Sequence, residues 1–109
     1  MTKVTVTKDA ALARKRAAMS LTFGQLLIGL VAEGWITEAE GEAWLEGKLP
    51  AAALALIDTL PTAERFPAKA RATRPSIAER SDPLLNALAT AEGRTPEELD
   101  TFFETYANA

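Results

Sequence analysis

Apolar residues recur along this chain with helical period, and boundary residues stand at the ends of each periodic run. Thr22 precedes Phe23 with Gln25 three residues on, a capping-box pattern in which side chain and backbone satisfy each other's free groups. Phe23, Leu26, Leu27, Leu30 and Val31 then follow the spacing of one buried helix face. Gly34 stands where a left-handed residue closes such a helix, so the pattern predicts a helix over 23–33. Thr37 and Glu40 repeat the box for a helix over 38–46, with Ala39, Ala43 and Trp44 inward, the glutamates mostly outward and Gly47 as its stop. Trp35 and Ile36 lie in the turn between, where a large aromatic fills the angle between two helices; Trp35 is read as core.

Pro50 suits the first position of a helix over 50–59, since its missing N–H costs nothing there. Ala53, Leu56, Ile57 and Leu60 form its stripe, and Pro61 ends it. The stretch 62–82 reads two ways. Thr62 to Arg65 starts like a helix, yet an interior proline such as Pro67 costs ~3 kcal/mol. The expectation is a short turn before Pro67, or a helix starting near it and reaching about Ala72; Ser76 with Glu79 then offers a single-turn cap. Asp82 caps a helix over 83–92 with Pro83 at its first position, Leu84, Leu85, Leu88 and Ala91 inward, and Gly93 as its close. Thr95, Pro96 and Glu98 open the last helix, 96–106, which buries Leu99, Phe102, Phe103 and Tyr106.

The N-terminal segment differs. Thr2 to Lys8 alternates polar residues with Val4 and Val6, the period of a strand. No second strand is expected in the chain to pair with it, so Val4 and Val6 are read as either disordered or paired with another molecule. Asp9 caps a helix from Ala10 to about Met19 that is anchored by Leu12 and Met19 and carries Arg14, Lys15 and Arg16. A frayed basic arm and a docking arm fit this pattern equally. The expected architecture is all-α: a small orthogonal bundle of five or six short helices over 21–109, preceded by an arm over 1–20. Its expected core is Phe23, Leu26, Leu27, Leu30, Trp35, Trp44, Leu56, Ile57, Leu60, Leu84, Leu88, Leu99, Phe102 and Phe103.

Composition narrows the chemistry. One domain is what 109 residues support. With neither Cys nor His, disulfides, zinc sites of the Cys/His type and His-assisted nucleophilic catalysis are excluded. The longest apolar stretch, Leu26 to Ala32, falls far short of the about 20 residues that span a bilayer, and the N-terminus lacks the apolar core of a secretory signal. A protein made in the cytoplasm, with no membrane partner, is expected.

Charge is segregated along the chain. Residues 1–20 carry +4, residues 21–64 carry −6, residues 65–80 carry +4 and residues 81–109 carry −5, for −3 in all. Either these segments face each other within one fold, as solvated pairs worth little each, or they are complementary patches on different molecules that orient assembly. A helix-turn-helix reading of 23–33 and 38–46 would bring four glutamates toward phosphates, which disfavours nucleic acid as a partner. Glu38, Glu40 and Glu42 diverge by about 200° per step of two on a helix and do not converge on one cation. Gly24, Gly29 and Gly34 fall inside a helical pattern and make no phosphate loop. Nothing singles out a carboxylate pair for acid–base work, so no catalytic, metal or cofactor site is expected.

Several stretches taken together bear a resemblance: Leu21-Thr22-Phe23-Gly24-Gln25-Leu26-Leu27, Gly34-Trp35-Ile36-Thr37-Glu38-Ala39-Glu40, Leu49-Pro50, Arg65-Phe66-Pro67-Ala68-Lys69, Arg80-Ser81-Asp82-Pro83-Leu84 and Thr95 to Phe103. The pattern resembles small helical proteins encoded in tail modules of bacteriophages and prophages. These are boundary and core residues, and they transfer no functional residue. The resemblance implies a virion component, or an assembly factor near the tail, present in several copies. The expectation is a phage structural protein of the tail or tail tip, made in the host cytoplasm and housed in the virion, with other virion proteins or further copies of itself as partners. Its binding residues would be Val4 and Val6 by strand pairing, Leu12 by apolar contact, and Arg14, Lys15 and Arg16 by charge. A soluble tail-assembly chaperone and a small regulator of host protein or nucleic acid are the alternatives.

Overall fold

A computed structural model describes residues 8–73 and 75–109 of the chain. In order come α1 (Lys8–Ala17), β1 (Ser20–Thr22), α2 (Phe23–Ala32), α3 (Glu38–Leu45), α4 (Ala51–Asp58), α5 (Thr62–Thr73), β2 (Ile77–Glu79), α6 (Pro83–Ala91) and α7 (Pro96–Tyr106). The fold is a small helical bundle: six helices form the body, and α1 precedes them.

The helix boundaries follow the local chemistry. Thr22, Thr37 and Thr95 each accept the N3 backbone N–H, while Gln25, Glu40 and Glu98 accept from the cap residue's own N–H, so all three boxes are closed. Asp82 accepts from the N–H groups of Leu84 and Leu85, and Pro83 opens α6. Gly34, Gly47 and Gly93 have φ of 74°, 95° and 75°. In each case the next residue reaches back to the helix (Trp35 to Leu30, Lys48 to Ala43, Arg94 to Ala89), which completes a Schellman stop that a side chain bearing Cβ would strain.

The core lies where α2 and α7 cross, under the two strands and α6. Leu21, Leu30, Leu99, Phe102 and Phe103 are its most enclosed side chains. Trp35 stacks on Phe102 at 4.8 Å between ring centroids, so the turn aromatic is core as its position predicts. Gly29 permits this crossing: a Cβ there would stand 2.6 Å from Phe102 and 2.8 Å from Tyr106. Trp44 is buried too and donates its indole N–H to the Ala72 carbonyl at 2.9 Å, which ties α3 to the end of α5.

Some expectations are corrected. The body of the chain does contain strands, which its pattern does not predict: β1 and β2 pair antiparallel with each other, with Leu21 opposite Ala78 and both buried. Three residues are too few for an alternating pattern to register, and Ser76–Glu79, read as a helix cap, is mostly strand. The helix through Pro67 is unbroken from Thr62 to Thr73. Pro67 forfeits its bond to the Ala63 carbonyl, but Ala63 is exposed and that oxygen can stay hydrated. Pro50 caps α4 instead of opening it; its ψ of 151° keeps it extended while its carbonyl accepts from Leu54. α1 begins at Lys8, which places Asp9 inside the helix, and it ends at Ala17 before Met19. Ala39 and Ala91 are exposed, and Phe23, Leu56, Leu60, Leu84 and Tyr106 are half-buried at the rim of the core. Leu21, Ile36, Leu49, Ala78 and Ala89 join the buried set, and Ala53 and Leu85 are buried on the inner faces where the pattern put them.

Candidate interaction surface

The residues singled out for binding fall on or before α1. Val4 and Val6 lie outside the described residues. Leu12 is half-buried and lines an open cleft of about 430 Å³ between α1 and the start of α6, with Ala13, Arg16, Arg80, Ser81, Pro83 and Asn86. Arg14 is exposed. Lys15 reaches Glu104 at 3.3 Å, an exposed pair of little energetic weight.

Arg16 behaves differently. Its guanidinium grips Asp100 with two nitrogens, Nε at 2.9 and 3.1 Å from the two carboxylate oxygens and Nη2 at 2.9 Å. Asp100 also accepts from Arg80 Nε at 2.8 Å. Arg80 is only 3% exposed, and it spends its other nitrogens on Asn86 Oδ1 at 2.6 Å and the Pro96 carbonyl at 3.0 Å. Asn86 in turn donates to the carbonyls of Arg80 and Asp82. One carboxylate therefore serves two arginines, binding α1, the end of the strand ribbon and α7 together. Among the described residues, no buried side-chain polar atom lacks a partner.

Electrostatics agree with this geometry. Burial pushes the Asp100 carboxyl upward, but the hydrogen bonds and charges of Arg16 and Arg80 outweigh it and hold it below the usual carboxylate range. The Arg16 guanidinium is raised in turn, first by its hydrogen bond to Asp100. Sequence reasoning missed this node. Arg80 and Asp100 stood in charge tallies for opposite segments, and only their side-by-side placement makes them partners. A faint signal did exist: Asp100 sits one residue beyond Leu99 on the flank of the buried stripe of α7, where an acid needs a partner.

A second surface shares Pro83 with the cleft beside α1. An open apolar trough of about 470 Å³ runs between α4, α5 and α6, with Leu56, Leu60, Pro67, Ala68 and Leu84 among its walls and Arg71 at its edge. α5 closes one side of it yet buries no residue completely. Phe66 points away from the trough and is 78% exposed.

Part of the segregated charge pairs within one fold. Basic α1 faces acidic α7 within one fold, through Arg16–Asp100 and Lys15–Glu104. Among the described residues, neither the cations of α5 nor the acids of α3 take part in an ion pair. Also among the described residues, no group of three or more acids gathers as a metal site would need. No described helix is long and apolar enough to cross a membrane. Comparison with protein-family models gives no match, and neither do comparisons with curated proteins or with solved structures.

Proposed function

We propose that this protein is a structural component of a bacteriophage tail or tail tip. It acts by binding, attached to a larger virion protein through its N-terminal arm and one helix face. The resemblance of its boundary and core motifs to small tail-module proteins supports the phage setting. The observation that carries the binding reading is the attachment of α1. Leu12 and Arg16 are its half-buried side chains near the body, and two side-chain ion pairs reach from it to α7. A helix held this way keeps most of its surface for another molecule, with Arg14 exposed upon it. Strand pairing by Val4 and Val6 would extend the same contact, since main-chain bonds to a neighbour's sheet edge need no preformed pocket.

The test is made on particles induced from a host that carries the gene, purified and analysed by mass spectrometry. A virion component is present at a constant ratio to the tail proteins. Presence in the lysate with absence from the particles would replace this reading with the assembly chaperone. The variant Arg14→Glu should retain the helical circular dichroism of the wild type and lose incorporation. Retention of DNA on the protein at low salt would instead favour the regulator.

A further inference from the structure

Two outward helix faces carry opposite charge and one exposed hydrophobic residue each. On α5, the side turned away from the trough bears Arg65, Phe66 and Lys69: the two cations, four residues apart, form one stripe, and Phe66 lies beside it, three residues before Lys69. On α3, the side opposite buried Trp44 bears Glu38, Glu42, Leu45 and Glu46, at i, i+4, i+7 and i+8. Phe66 is 78% and Leu45 57% exposed, and all of the flanking charged residues are exposed as well. Among the described residues, none of these charges belongs to an ion pair. Arg65 makes one hydrogen bond, from Nε to the Leu60 carbonyl at 2.9 Å, which leaves its remaining nitrogens for another acceptor.

The two faces complement each other in three respects: opposite charge, an exposed apolar residue beside the charged stripe, and helical form. Within one copy α3 and α5 touch through Trp44 and Ala72, on the side of α3 away from its acids, so the acidic stripe is not laid on α5 of its own chain. We infer that the acidic face of α3 docks on the basic face of α5 of a second copy, with Phe66 and Leu45 at the centre of the contact and the charges around them. Charge around an apolar centre is the usual anatomy of a specific interface, and it sets register as well as sign. The contact joins unlike surfaces, so each copy offers both halves of it. It is separate from the attachment of α1 to a larger partner and survives the failure of that proposal.

The experiment follows self-association of the full chain by sedimentation equilibrium and light scattering. At low ionic strength, about 0.02 M, the apparent mass should rise with protein concentration, and at about 0.5 M salt, where charges are screened within a few ångströms, it should return to the monomer. Lys69→Glu and Glu42→Lys should each weaken association about tenfold or more with unchanged circular dichroism, because both side chains lie outside the core. An equimolar mixture of the two variants should associate again, since the unaltered α3 of one then meets the unaltered α5 of the other, and the two reversed faces also complement each other. At low ionic strength Phe66→Ser and Leu45→Ser should each weaken association as well, although neither changes the charge. A monomer at every concentration and salt overturns the inference. So does association that neither charge reversal weakens, or a mixture of the two variants that stays monomeric.

Discussion

α5 and α7 are nearly the same length, 12 and 11 residues, yet the fold uses them in opposite ways. α7 has a closed capping box, buries Leu99, Phe102 and Phe103, and contributes the carboxylate that holds two arginines. α5 has an interior proline and no fully buried residue; partly buried Ala68 and Ala72 pack against the core, and the Trp44 indole holds its C-terminal end. Stability is therefore concentrated around α7, while α5 presents surface. The inner face of α5 is held by the core, while its outer face is under no packing constraint within this fold.

The comparison is broken most severely at Asp100. Asp100→Ala leaves Arg80 buried with an uncompensated charge and should cost about 3–5 kcal/mol, measured by urea unfolding. The same substitution should release α1, read as faster amide exchange over Lys8–Ala17. The carboxyl of Asp100 is depressed in the folded protein, so its contribution is complete above its ordinary value and is lost as pH falls through the depressed one. The gap between wild type and Asp100→Ala should thus narrow only on acidification below about pH 4. An equal gap at every pH would remove the carboxylate from the account.

Pro67→Ala should act with the opposite sign. It restores a hydrogen bond and removes the ring's crowding of the preceding turn, together worth ~3 kcal/mol in a helix interior, less ~1 kcal/mol for the freer unfolded chain, for a net gain of about 2 kcal/mol. If stability falls instead, Pro67 is packing against the trough in a way its exposure does not suggest. Gly29→Ala tests the close crossing of α2 and α7. A methyl group at 2.6 Å from Phe102 overpacks the core by about 1–3 kcal/mol, offset by ~1 kcal/mol of helix propensity, for a net loss of about 1 kcal/mol in thermal unfolding. Phe66→Ser is the smallest effect: on exposed α5 it should change unfolding free energy by less than about 0.5 kcal/mol, against several for a ring lost from α7.

Much of the fold was legible because it is written in short-range chemistry. The boxes at Thr22, Thr37 and Thr95, the Asp82 cap and the three closing glycines act over a few residues, so they can be read before any tertiary structure exists. The α1 residues were legible as a basic, exposed-looking arm, but the division of labour among them was not. Arg14 is exposed, whereas Arg16 is committed to Asp100, 84 positions away.

The sequence by itself determined where helices start and stop and which faces are apolar, because caps, prolines and periodic leucines act locally. Tertiary structure alone decided that Ser20–Thr22 finds Ile77–Glu79 and that Arg16 and Arg80 share one carboxylate. It also decided that α5 runs straight through its proline. Each of these depends on groups far apart in the chain, or on whether a freed carbonyl meets solvent, and a local pattern carries no information about either.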